Sequence, residues 1–372
     1  MIRFSKYPAL ALALLWLASP LEASPWLIQD EKKEEMKEEM KEEMKQEEGS
    51  EGSAAKEGNQ AVTMDKSFAG LLARYEEVSG KLDELKRQFD EAESSEDSTR
   101  FRDQYARMVE EAKLLVGEIR VAGVAMLDEG KKDEQVMETL TGVMINDAFF
   151  ERDAAALELG QKLIDGGVDV AILEQAAEAE RLGPTGKDIV RELVLRAKEA
   201  AADDLPRVKL TTSKGEVVLE LFENDAPETV ANFISLVNKD YYNGLTFHRV
   251  LDNFMAQGGC PLGNGRGDPG YKIRCECYQP QYRRHFTGSL SMAKGDARNS
   301  GGSQFFLTFR RTSNLDGKHT VFGRVIEGMD IVNSIQRIDP QRPNPNIKAD
   351  VIEKAEVLRD RGHEYEPNKI GG

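Results

Sequence analysis

The sequence predicts two differently built parts, an all-α helical N-terminal domain and a β-rich C-terminal domain of short strands. Three observations carry that division. From residue 64 to residue 200, apolar residues recur at helical spacing with no convincing strand alternation; from residue 205 onward, short alternating runs are separated by glycine-rich turns. Between them stands Asp203-Asp204-Leu205-Pro206, where Pro206 pushes Leu205 out of the helical region. At 372 residues there is room for more than one domain, and a formal charge of -16 argues against nucleic acid or an anionic membrane as a partner.

Residues 1–23 read as a signal peptide. Arg3 and Lys6 precede an apolar run from Ala9 to Ala18, then Pro20 and small residues lead to a cut after Ala23. The run falls short of the roughly 20 apolar residues that span a bilayer, so no stable membrane span is expected after cleavage; uncut, the segment would be an anchor. The expected location is therefore exported, either periplasmic or secreted. Residues 24–62 form a charged low-complexity tract and linker. A KEEM repeat places Met36, Met40 and Met44 between acidic pairs, with i,i+4 Glu–Lys neighbours, and Gly49 to Gln60 is rich in Gly, Ser and Ala; together they read as disorder or a fraying helix. A methionine stripe alone is a poor metal site, and no His or Cys lies nearby.

Residues 63–204 read as a helical bundle or solenoid. Phe68, Leu71, Leu72 and Tyr75, then Val78, Leu82, Leu85 and Phe89, trace one apolar face, which Ser94 to Ser98 interrupts. A second helix is expected from about Thr99 to Leu127, with Phe101, Tyr105, Met108, Ala112, Leu115 and Ile119 inward. Shorter ones follow over Asp133 to Phe149, Asp153 to Ile164, Val170 to Arg181 and Gly186 to Ala201, punctuated by Gly166-Gly167 and Gly183-Pro184. No His occurs before position 248 and no Cys before 260, so this part holds little catalytic material and a structural or partner-binding role is expected for it.

In the C-terminal part, VKLTTSKGEVVLELF reads as a hairpin turning near Ser213-Lys214-Gly215, with Val217, Leu219 and Leu221 on a buried face. Asp225 and Pro227 open a helix carrying Phe233, Leu236 and Val237. The stretch Phe247 to Gln257, FHRVLDNFMAQ, then brings an arginine, apolar residues and a glutamine together around the Asp252-Asn253 turn. Gly301 to Phe306 is a loop feeding a strand, with Gln304 and Phe306 on one face and Phe305 on the other. LDGKHTVFG, Leu315 to Gly323, adds a turn, a histidine and another strand.

The FHR, FMAQGG, LSMA, SQFF and LDGKHTVFG blocks, in this order over about 205–359, resemble the cyclophilin family of peptidyl-prolyl isomerases. That resemblance implies an eight-stranded antiparallel β-barrel capped by two helices, with a proline-binding groove on its outside. It implies catalysis by Arg249, an apolar proline pocket from Phe254, Met255, Phe306 and Leu315, and polar neighbours Gln257 and Gln304 that hold the arginine or the peptide carbonyl. His319 matches a residue at the pocket rim, and Ala293 and Lys294 match a segment whose backbone binds the peptide. Asn314 stands where relatives sensitive to cyclosporin have Trp, which implies weakened binding of that drug. No cofactor and no metal are implied.

The three cysteines, Cys260, Cys275 and Cys277, offer one disulfide in an oxidising compartment, Cys260 with Cys275 or Cys277. Free buried thiols are the alternative, and Cys275-x-Cys277 with His285 would be a metal site of unusual spacing. A final strand is expected around Val351 to Leu358, then a flexible tail over residues 360–372. The expected function is isomerisation of X-Pro bonds in proline-containing polypeptide clients, assisting the folding of exported proteins. Two other readings are a proline-peptide-binding module without turnover and a scaffold acting through the helical domain.

Overall fold

The computed structural model describes residues 66–91, 95–149, 152–177 and 182–371. The leader and the KEEM tract lie outside them. Among the described residues, six helices come first: α1 (Phe68–Asp90), α2 (Ser95–Asp128), α3 (Glu134–Phe149), α4 (Asp153–Asp165), α5 (Val170–Ala177) and α6 (Pro184–Ala202). None of the described helices is long and apolar enough to cross a membrane. The chain packs as two units, one built from α1 to α3, the other from most of α4 with α5, α6 and everything after. The break in packing thus precedes the break in periodicity at Pro206.

In the first unit, Ser67 caps α1 by accepting from the Gly70 amide at 3.1 Å. Phe68, Leu71, Leu72, Tyr75, Val78 and Leu82 are buried, as are Ala112, Leu115 and Ile119 on α2. Helix α2 begins at Ser95, earlier than expected, and Phe101, Tyr105 and Met108 near its start are only half-buried. Gly123 lets α3 come close, since a Cβ there would stand 2.8 Å from Leu140 Cδ2.

In the second unit, eight strands form one antiparallel sheet: β1 (Arg207–Thr212), β2 (Gly215–Leu221), β3 (Arg249–Leu251), β4 (Met255–Gly258), β5 (Ser289–Met292), β6 (Phe305–Thr308), β7 (Val321–Glu327) and β8 (Ile352–Arg359). Their order is β3-β4-β6-β5-β7-β2-β1-β8. The sheet curls until its edges meet: Thr246 bridges Val351, and the Phe247 amide donates to the Asp350 carbonyl at 2.9 Å. This is the expected barrel, its seam joined by an isolated bridge instead of a ladder. Alternation fills the interior, with Val208, Leu210, Val217, Leu219, Leu221, Phe247, Val250, Phe305, Leu307 and Phe322 all buried in one core.

Two helices cap the sheet, α7 (Pro227–Val237) and α8 (Met329–Ser334). Asp225 does not cap α7 as expected. The N-cap is Ala226, with no side-chain bond of its own, and the Glu276 carboxylate accepts from the Glu228 and Thr229 amides at 3.0 and 2.9 Å instead. Asp225 turns to Arg283, 3.6 Å away. The segment after Arg359 is also not the loose tail that its polarity suggested. Tyr365 is buried in the core, Ile370 bridges Lys272, and Arg361 reaches Asp204 at 2.8 Å. An aromatic anchor and a backbone bridge outweigh composition here.

Candidate active site

Strand register builds the site. Arg249 on β3 pairs with Gln257 on β4, Gln257 with Phe306 on β6, and Phe306 with Ser291 on β5. Four adjacent strands therefore present one row, and the neighbouring row, Val250, Ala256, Leu307 and Leu290, fills the core. Because side chains alternate, a core that claims Val250 and Ala256 must turn Arg249 and Gln257 outward.

All ten residues predicted for binding and catalysis line one cleft of about 450 Å³: Arg249, Phe254, Met255, Gln257, Ala293, Lys294, Gln304, Phe306, Leu315 and His319. Arg249 is half-buried. Its Nη1 donates to Met255 Sδ at 3.7 Å and its guanidinium lies 5.7 Å from the Phe254 ring centre. Burial lowers its pKa from the ordinary value, with Asp339 opposing, but a guanidinium stays charged. Among the described residues no carboxylate lies within ion-pair distance of it.

The two glutamines hold each other and not the arginine. Gln257 Nε2 donates to Gln304 Oε1 at 2.9 Å, and Gln304 Nε2 donates to the carbonyls of Gly265 and Gly267 at 2.9 and 2.8 Å. Gln304 thus fastens the glycine-rich loop that forms one wall. On the opposite wall the Ala293 amide donates to the Gln304 carbonyl at 2.9 Å, so that donor is already engaged within the protein.

Phe306 sits between two histidines. His285 stacks on it at 5.8 Å with the rings 4° apart, and His319 meets it edge-on at 5.6 Å. His319 Nδ1 bonds the Met292 carbonyl at 3.0 Å, and burial pushes its pKa below the ordinary imidazole value, so it is neutral near pH 7. His285, wholly buried, bonds Asp316 Oδ1 at 2.8 Å and Ser291 Oγ at 2.9 Å. Sequence reasoning missed His285 and Asp316 as supports of the cleft. Asp316 was legible only as a turn residue, and nothing in RRHFTG announces a buried imidazole.

The family model for cyclophilin type peptidyl-prolyl cis-trans isomerase/CLD matches residues 207–357. A peptidyl-prolyl cis-trans isomerase of Helicobacter pylori is 44% identical over 155 residues, which cover 41% of this chain and 92% of the relative. The chain belongs to the cyclophilin-type peptidyl-prolyl cis-trans isomerases. Its enzyme class is that of the family. A Synechococcus elongatus isomerase is 50% identical over 132 residues, 35% of this chain and 88% of the relative. A Cryptosporidium parvum cyclophilin crystallised in the presence of the dipeptide Ala-Pro aligns at 28% identity and a TM-score of 0.38, covering 41% of this chain and 99% of that one.

The cyclophilin-type domain contains all three cysteines, and in the structure all are free thiols. Cys260 Sγ accepts from the Gly267 amide at 3.2 Å. Among the described residues, no group of three or more His, Cys, Asp or Glu side chains is placed to hold a metal.

Proposed function

We propose that the cleft accelerates rotation about X-Pro bonds in polypeptide clients, with Arg249 as the catalytic group. The uncatalysed barrier is about 18–20 kcal/mol, from amide resonance, and no covalent bond changes, so catalysis needs only a grip on the proline ring and charge that favours the twisted state. As the amide twists, the proline nitrogen regains its lone pair. A guanidinium donating to it withdraws electron density and weakens the resonance. Phe306, Met255, Phe254 and Leu315 offer the ring an apolar seat, with Phe306 steadied by its two histidines. The Ala293 carbonyl and the Lys294 backbone are the groups left for a peptide strand, since the Ala293 amide is taken.

The observation that carries this reading is the half-buried guanidinium without a carboxylate, facing the same cleft as Phe306. The test is isomerisation of a short X-Pro peptide by the protein and by Arg249→Ala. Turnover by the parent that is lost in the variant supports the assignment; no turnover from a folded parent makes the cleft a peptide-binding module. Asn314 is exposed on a 3-10 turn beside Leu315 and offers cyclosporin no ring, so weak inhibition with activity retained is expected.

The leader-like residues 1–23 support an exported, periplasmic or secreted enzyme that assists folding there, with the helical N-terminal region recruiting a protein partner or positioning the isomerase. Fractionation of cells, with N-terminal sequencing of the mature chain, tests this; a cytosolic protein that retains Met1 or Ile2 at its start refutes it.

A further inference from the structure

Helix α6 precedes residues 207–357, the stretch that matches the family model, yet it meets the barrel through a row of carboxylates. Asp188, Glu192 and Glu199 fall at helical spacing and share one face of α6. Glu192 and Glu199 go to Arg283 and Arg324. Asp188 goes to a different pair, its Oδ2 accepting from Arg284 Nε at 3.2 Å and from Arg311 Nη2 at 3.5 Å. Among the described residues no other carboxylate lies within ion-pair distance of either guanidinium, and Nη1 of each is buried without a hydrogen-bond partner. One carboxylate thus keeps two cations together.

Both arginines stand next to the groups that support the proline seat. Arg284 precedes His285, the imidazole stacked on Phe306, and Arg311 precedes Thr312, whose amide donates to the His285 carbonyl at 3.2 Å. Arg311 also crosses between the two segments, its guanidinium 5.1 Å from the ring centre of Phe286, the residue after His285. From Thr312 the bonds run into the cleft wall. Its carbonyl accepts from the Leu315 amide at 2.9 Å, and the Leu315 carbonyl accepts from the His319 amide at 3.2 Å. Asp316 in the same turn accepts from the His285 amide at 2.8 Å. The segments of His285 and Leu315 are therefore joined by these bonds and, one residue earlier on each, by Asp188. Without that carboxylate, two like charges would share a part-buried space, and their repulsion would draw the segments apart.

We propose that Asp188 is a positioning residue for the proline seat: by holding Arg284 and Arg311 together, it fixes His285 against Phe306 and keeps the Leu315 turn in place. The proposal rests on the reading of the cleft as a site for X-Pro segments. The proline ring keeps its shape while the bond beside it rotates, so the apolar seat grips the planar and twisted states alike. A loosened seat costs affinity. The rotation step, assigned to Arg249 on β3, keeps its rate.

The test measures isomerisation of a short X-Pro peptide, its Kd by NMR titration and the urea midpoint, all on the full-length chain. Asp188→Asn should raise KM and Kd about tenfold with kcat unchanged, and Asp188→Glu, which keeps the carboxylate, should restore most of the loss. Glu192→Gln, on the same helix but paired elsewhere, should lower the urea midpoint and leave Kd where it was. If Asp188→Asn does not fold, Arg311→Gln releases the Thr312 segment while leaving Arg284 its carboxylate, and it should weaken the peptide in the same direction. An unchanged Kd in a folded Asp188→Asn or Arg311→Gln overturns the proposal, as does a kcat loss at constant KM or an equal loss of affinity in Glu192→Gln. A parent that binds the peptide without turning it over refutes the isomerase reading alone, and Kd still decides the role of Asp188; a parent that does not bind it sinks both.

Discussion

Arginines held by the same domain, the buried Arg283 with its neighbour Arg324 and the half-buried Arg249, behave oppositely. The Arg283 side chain is 1% exposed and lies 2.7 Å from Glu199, 3.6 Å from Asp225 and 3.7 Å from Glu192, with its guanidinium 3.7 Å from the Phe222 ring centre. Arg324 beside it reaches Glu220 at 2.6 Å and Glu199 at 2.9 Å. Burial works against the Arg283 charge, but Glu192, Glu199 and Asp225 outweigh it and hold the guanidinium above its ordinary pKa. Arg249, on strand β3, has a thioether and an aromatic ring where Arg283 has three carboxylates. A cation ringed by the fold's own carboxylates is committed to them; one that the fold leaves without a carboxylate keeps its charge for a ligand.

The sharpest way to break this comparison is Arg283→Ala. Removing it leaves Glu192, Glu199 and Asp225 facing one another, and a loss of about 3–5 kcal/mol is expected, read from the urea midpoint, with turnover per folded molecule unchanged. A stability change near zero would mean that the carboxylates do not depend on it. Arg249→Ala should do the reverse, cutting turnover by about 10²–10³-fold with the urea midpoint hardly moved. If activity survives, the unpaired guanidinium is not the catalytic group. Arg249→Lys sharpens the point by keeping charge while losing the planar fork, and about tenfold lower turnover is expected; parental activity would show that charge alone suffices.

The smallest effect belongs to a surface pair. His363 Nε2 lies 2.6 Å from Glu223, and the imidazole is held above 6.5 by the Glu364 carbonyl first and the Glu223 carboxylate second. A histidine raised in this way contributes in full below its unfolded pKa of about 6.5 and loses its contribution as pH rises through the folded value. The ring should titrate by NMR above 6.5, with amide protection around Tyr365 falling on the alkaline side. Glu223→Gln should bring the midpoint down, and an unmoved midpoint would dismiss the pairing.

Most of the strand and helix plan was legible, because alternation in β1 and β2 and the spacing of Phe68, Leu71, Leu72 and Tyr75 state their buried faces directly. The cleft was legible through motif resemblance more than through chemistry. A row such as Arg249, Gln257, Phe306 and Ser291 comes from four strands whose register no local pattern specifies. What stayed hidden were contacts between distant segments: Glu276 capping α7, His285 under Phe306, Tyr365 returning to the core. Each joins residues whose neighbours in sequence say nothing of the partner.

The ion pairs of Arg283 and Arg324 also bear on where this chain can be cut. Glu192 and Glu199 lie on α6, before the composition change at Pro206, so a barrel expressed from Leu205 would leave the buried Arg283 with Asp225 and the part-buried Arg324 with Glu220, each without its α6 carboxylates. Such a fragment should aggregate or melt early, and its poor behaviour would be misread as an intrinsically weak isomerase. A fragment that starts near Leu182 keeps α6 and its carboxylates, which makes it the shortest piece suited to measuring the barrel by itself.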